Sequence, residues 1–239
     1  MTRERIVPAR RVPVLLSAYE SPPDHPCASI DHYHSDLVLL GYLLQDLRAL
    51  VRRAAKGEII LTPYETITWE VHGLQRRTVT CDPARLMRPD TCFLVGFLGA
   101  RRASPAAREL DETELDVIGE LRNHSGIVSY SSVELVDHQW ANLVVHVHSR
   151  DREAWRRSEV HVQAADELAP RVYHNVRIHN GRIPGGPIGP QTLVIESTKY
   201  WDYDGPEVWH AVREFPGGAT ETVGTPWTDL ARPSVAERP

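Results

Sequence analysis

The chain has 239 residues, of which 41% are apolar and 25% charged, and its formal net charge is −5. This is ordinary for a globular protein of one to two domains, and it excludes a wholly disordered chain, a collagen-like repeat and a disulfide scaffold. The acidic balance lacks the basic footprint that nonspecific nucleic-acid binding needs, and Arg10-Arg11, Arg76-Arg77 and Arg156-Arg157 read as solvated faces.

Residues 12–19 form a short apolar run closed by Ser21-Pro22-Pro23, a predicted strand. Ser35 can cap a helix over about 36–55, whose last turns gather Arg48, Arg52, Arg53 and Lys56 before Gly57. Leu37, Leu40, Leu44, Leu47 and Val51 share one face, widened by Leu39, Leu43 and Leu50, so deep burial is expected. Residues 64–72 alternate apolar and polar, Gly73 turns the chain, and 77–81 return as a second strand. Residues 82–90, with Pro83 and Pro89, are the candidate boundary.

Beyond it, 91–100 read as an apolar strand and 109–123 as a helix with Leu110, Leu115, Ile118 and Leu121 in its stripe. Residues 127–135 and 140–148 form a predicted hairpin, and 151–168 a helix stopped by Pro170. A short extended segment (171–178), a glycine- and proline-rich loop (180–190) read as a flexible lid or connection, and a strand (192–200) follow. Residues 207–215 are one more candidate strand, and 216–239 a tail over the surface or a neighbouring subunit.

Residues 89–204 thus run β-α-β-β-α-β, the order of a ferredoxin-like unit. Residues 1–88 supply β-α-β-β, a partial repeat of that order, and 205–239 an extended strand and tail. The expected class is α+β, ferredoxin-like.

Trp140-Ala-Asn-Leu-Val-Val, followed by Arg152-Glu-Ala-Trp155-Arg-Arg-Ser158-Glu-Val-His161, resembles the antibiotic biosynthesis monooxygenase group of dimeric α+β barrels. In that group a hairpin strand leads to a helix carrying Trp-x-x-Ser. The resemblance covers about residues 90–200 and implies a homodimer paired sheet to sheet, with an apolar cavity between sheet and helices. The superfamily includes cofactor-free monooxygenases, haem-degrading oxygenases, chlorite dismutases and aldoxime dehydratases, so the fold does not choose the chemistry. The haem-degrading branch uses an Asn on the first strand, the Trp of this helix and a His ten residues later. Trp155 matches the second, but position 165 is Ala165 and residues 91–100 hold no Asn. His161 lies one turn before the expected position.

Twelve histidines are many for this length, and histidine is the side chain that titrates near neutrality and ligates metals and haem. His146 and His148, two apart on a predicted strand, should share a face with Asn142 and Val144, opposite Leu143, Val145 and Val147. Such a pair suits metal chelation or acid/base work, or a polar sheet face bonded to its neighbours. His161 aligns with Trp155 and Ser158 along a helix face, as an acid/base, a haem ligand or a half-buried structural histidine. His174 and His179 precede the glycine-rich loop. His32 and His34 lie near Asp31 and Asp36 without an identifiable third ligand.

Cys27, Cys81 and Cys92 are an odd count without CxxC spacing, which suits a reducing compartment and argues against a cysteine zinc site. No apolar run of membrane length and no secretory h-region is visible, so a cytoplasmic location is expected. No GxGxxG, P-loop, HExxH, GxSxG or EF-hand pattern occurs.

The function expected from this combination is a small-molecule oxygenase or related enzyme of specialised metabolism, acting in an apolar pocket. His146, His148 and His161 are the acid/base candidates, and Trp140, Asn142, Trp155 and Ser158 the substrate-lining ones. One alternative is a haem-dependent enzyme with His161, His146 or His174 as axial ligand. Another is a non-catalytic dimeric ligand-binding protein. The cofactor is then none or haem, a histidine-bound metal is a third possibility for which no ligand set is assigned, and neither nucleic acid nor a membrane is expected.

Overall fold

A computed structural model describes residues 12–103, 116–136 and 138–219. The first part of the helix expected at 109–123, Arg10-Arg11 and the tail beyond 219 lie outside these residues. The strands are β1 (Val14–Leu16), β2 (Thr66–Val71), β3 (Leu74–Thr80), β4 (Cys92–Arg101), β5 (Ile127–Glu134), β6 (Gln139–His146), β7 (Tyr173–Ile183), β8 (Val194–Asp202) and β9 (Trp209–Ala219). They form one open, mixed sheet in the order β1-β9-β8-β7-β4-β6-β5-β3-β2, and β1 with β9 is its parallel pair. The protein is α+β.

Helix α1 (Ile30–Ala55) starts six residues before the predicted position. Ser29, in extended backbone, accepts a hydrogen bond from the Asp31 N–H and so caps it, while Ser35 turns its hydroxyl back to the Asp31 carbonyl. The earlier start brings Tyr33 and Asp36 onto the buried side. The leucine stripe packs as expected, against Leu94 and Leu98 of β4, Val128 and Val133 of β5, and Leu143 and Val145 of β6. Each such buried leucine contributes roughly 1.5–3 kcal/mol. The helix lies so close to β4 that a Cβ on Gly96 would collide with Leu40.

The β2–β3 hairpin turns at His72 (φ 53°) and Gly73 (φ 76°), the two left-handed positions a tight two-residue turn requires. The expected boundary at 82–90 is instead part of the core. Asp82 accepts from the Arg85 N–H to start α2 (Pro83–Leu86), and Leu86 is fully buried with the α1 cluster. Strands from the first ninety residues lie on both rims of the sheet, β1 beside β9 and β2–β3 beside β5. The repeated order of elements is therefore not repeated in their pairing.

On the face opposite α1 lie α3 (described from 116 to 120), a 3-10 turn (Leu121–Asn123) and a broken run formed by α4 (Asp151–Arg156), α5 (Glu159–Val162), a π-helical turn (Gln163–Leu168) and α6 (Ala169–Val172). The single helix predicted at 151–168 is interrupted because Ser158 is extended and caps α5 by accepting from the His161 N–H. β7 runs to Ile183, five residues past the predicted segment, and shortens the loop that follows. Among the described residues no helix is long and apolar enough to cross a membrane.

Candidate functional site

On the face opposite α1, β6 presents Trp140, Asn142, Val144 and His146, while Leu143 and Val145 pack towards α1, the alternation expected from the sequence. Four rungs cross this face: Phe93–His146–Ile127, Val95–Val144–Tyr130, Phe97–Asn142–Ser132 and Gly99–Trp140–Glu134. Phe93, Val95, Phe97, Asn142 and Trp140 are half-buried, and they make a mainly apolar floor. Asn142 donates to the Tyr130 hydroxyl at 3.4 Å.

His146 closes one end of this floor. It has no exposed surface, and neither Nδ1 nor Nε2 has a hydrogen-bond partner. Burial, aided by the charge of Arg152, pushes its pKa down to about 4, so the ring is neutral at pH 7. Leaving a buried polar group unpaired costs on the order of 1–3 kcal/mol. Packing alone gives no reason for an imidazole here.

Nearby, Trp155 of α4 meets His124 edge to face at 4.9 Å and His161 of α5 at 5.6 Å. His161 is also held neutral, its pKa lowered to about 4 by burial and then by Arg156. His124 Nε2 lies 3.5 Å from Glu120 Oε1. The structure therefore gathers Trp155, His161 and the unforeseen His124 into one aromatic cluster, within electrostatic reach of His146. His124 follows a 3-10 turn in no recognisable pattern, so nothing local in the sequence marks it.

The other candidates stand elsewhere. His148 is exposed beyond the end of β6, and its backbone N–H donates to Asp151, so it does not share the face of His146. Ser158 is committed to capping α5. Trp140 lies six residues from His146 along the strand, roughly 20 Å away at strand rise, with the Arg101 guanidinium 4.4 Å over its ring. His174 bonds Asp204 at the surface. His32 and His34 are exposed on the first turns of α1. Among the described residues no group of three His, Cys, Asp or Glu side chains could hold a metal ion.

His179 faces the other way, towards α1. Its Nδ1 lies 2.8 Å from Thr198 Oγ1 and its Nε2 2.9 Å from Asp36 Oδ2. Arg177 donates to both oxygens of Asp36, at 2.6 and 2.9 Å. Burial alone would raise the Asp36 pKa, but the Arg177 charge and the bonds from His179 and Arg177 hold it below the usual carboxylate value. This closed network ties α1 to β7 and β8 and offers no unsatisfied group to a substrate.

No protein-family model matches the chain, and no curated protein matches it. Among solved structures, protein SO0527 from Shewanella oneidensis is similar over 52% of this chain and 93% of its own, at 10% identity and a TM-score of 0.31. A likeness this distant carries no argument.

Proposed function

We propose that the chain is a small-molecule enzyme of the oxygenase type, with residues 89–204 as a ferredoxin-like unit and its site on the face opposite α1. The adjacent order β7-β4-β6-β5, in which the connections β4→β5 and β6→β7 each skip one strand, supports the ferredoxin-like reading. The observation that carries the functional reading is the His146 imidazole, buried with both nitrogens unpartnered.

A neutral ring accepts a proton without first losing one. With a pKa of about 4 it is a weak base, so it suits a substrate whose anion is strongly delocalised, such as a carbon flanked by an aromatic ring and a carbonyl. The substrate CH2 gives one proton to His146, the carbanion reduces O2 and binds it as a peroxide anion, and His146 returns the proton to give the hydroperoxide. Loss of water leaves C=O, with the second oxygen atom and both hydrogens leaving as H2O. His161 neighbours the route and Trp155 walls it, while Phe93, Val95 and Phe97 give the aromatic body an apolar floor.

Because His146 has zero exposure, no water-sized space touches it, and the substrate must displace part of the cover. Asp151 and Arg152 of α4 lie within electrostatic reach of His146, and α4 leads into the short α5 and α6 around a π-helical turn, a deformation frequent at functional sites. A homodimer would have to use a surface other than the α1-covered face of the sheet.

The test is oxygen uptake and ligand-induced stabilisation with a panel of benzyl ketones and arylacetic esters, whose CH2 stands between an aromatic ring and a carbonyl. The wild type should respond to at least one compound, and His146→Leu should remain folded and lose oxygen uptake. A His146→Leu variant with unchanged uptake overturns the proposal. Stabilisation without turnover returns the protein to the non-catalytic binding alternative.

A further inference from the structure

On the other face of the molecule, the C-terminal half of α1 and the loop after β7 border an open groove of about 620 Å³, lined by Gln45, Arg48, Arg52, Ile188, Gly189 and Pro190 among others. We propose that this groove binds an organic anion, a carboxylate or phosphate ester carried on an apolar body.

Charge is the first support. Arg48 donates from Nε to the Pro187 carbonyl and from its terminal nitrogen to the Gln191 carbonyl. Carbonyls satisfy its hydrogen bonds but leave its charge unneutralised. Burial, followed by the charge of Arg52, lowers the Arg48 pKa, as expected of two guanidiniums side by side without an acid between them. Among the described residues no carboxylate pairs with Arg52, whereas its neighbours Arg53 and Lys56 both reach Glu58. The acid that lines the groove, Asp46, is engaged by the buried Arg76. In a chain of net charge −5, two cations on one groove that no carboxylate pairs among the described residues favour an anionic occupant.

Shape is the second support. The loop read from sequence as a flexible lid is a built wall. Gly185 and Gly186 adopt left-handed backbone (φ 68° and 66°), Gly186 donates to the Ile183 carbonyl and Gly189 to the Gly186 carbonyl. Arg48 straps the loop to α1. Ile188, 43% exposed, and Pro190 stand on the same groove as the arginines. A cationic side beside an apolar side suits an amphipathic anion better than a bare inorganic one, since the apolar body adds buried area to the charge-assisted bonds. The groove lies on the opposite side of the sheet from His146, so this proposal and the proposed activity fail independently.

The experiment is calorimetric titration of the full chain at low salt with 1-naphthoate, phenyl phosphate and inorganic phosphate. Arg52 is exposed, so Arg52→Gln and Arg52→Glu should unfold like the wild type, a control made by denaturant titration. At least one of the two organic anions should bind saturably. Its affinity should fall about tenfold in Arg52→Gln, the scale of one charge-assisted contact. Binding should vanish in Arg52→Glu and weaken in Ile188→Ser and at raised salt. Tighter naphthoate marks a carboxylate site and tighter phenyl phosphate a phosphate-ester site. No saturable binding of either organic anion, undiminished binding in Arg52→Glu, or inorganic phosphate binding as tightly as phenyl phosphate would overturn the proposal.

Discussion

His146 and His179 stand on the two strands that flank β4, and neither has any exposed surface. They differ in what surrounds the ring. His179 engages Thr198 through one nitrogen and Asp36 through the other, and Arg177 completes the set. His146 has no partner on either nitrogen, although it lies across from Phe93 and Ile127 in the sheet and within electrostatic reach of Arg152, Asp151 and His124. Burial is thus the same for both and says nothing about role. The completeness of the hydrogen bonding separates a histidine that ties the fold together from one that, in the proposed function, is left to take a substrate proton.

The largest effect should follow from breaking the satisfied side. Asp36→Ala leaves Arg177 buried without its carboxylate and should cost about 3–5 kcal/mol in urea unfolding. A loss below about 1 kcal/mol would mean that solvent enters the network.

Acid should act next, on the unsatisfied side. The folded-state pKa of His146 is about 4, against 6.5 for the free side chain. The unfolded chain therefore binds the proton first. Stability is fully present above pH 6.5 and is lost as pH falls from there to about 4, by roughly 3 kcal/mol from this group alone. His161 acts in the same direction and window. Asp36, whose pKa lies below the ordinary value, contributes only at more acid pH. Stability measured against pH in His146→Leu should be visibly flatter between 6.5 and 4, and an unchanged slope would contradict the assignment.

Gly96→Ala should cost about 1–3 kcal/mol, because the new methyl group pushes Leu40 and with it α1 off the sheet. Thermal unfolding would show this, and a neutral result would mean that α1 can shift freely. The half-buried, solvent-accessible pair Arg182–Glu196 marks the small end of the scale, and Glu196→Gln should change stability by about 1 kcal/mol or less.

Much of this contrast was legible in part. The leucine stripe of α1 and the alternation of β6 are set by local periodicity, and both hold, including the placement of His146 with Asn142 and Val144. His148 failed because the strand ends at His146, where Asp151 takes the next free N–H. The partners of His179 were not legible, since Asp36 lies 143 residues away and no local pattern links them. Ser29 and Ser158 show the same limit at shorter range. Each of several serines can cap a helix, and tertiary burial of Tyr33 and Trp155 accompanies the positions chosen. The pairing of β1 with β9 joins chain segments almost 200 residues apart, which repeated element order does not reveal.

The most direct measurement is denaturant unfolding of His146→Leu beside the wild type at pH 7. Removing a buried ring that has no partners should leave stability unchanged or raise it by up to about 1 kcal/mol. A loss of about 2 kcal/mol or more, comparable to the cost of disrupting the His179 network, would show that His146 is a structural residue and contradict the account.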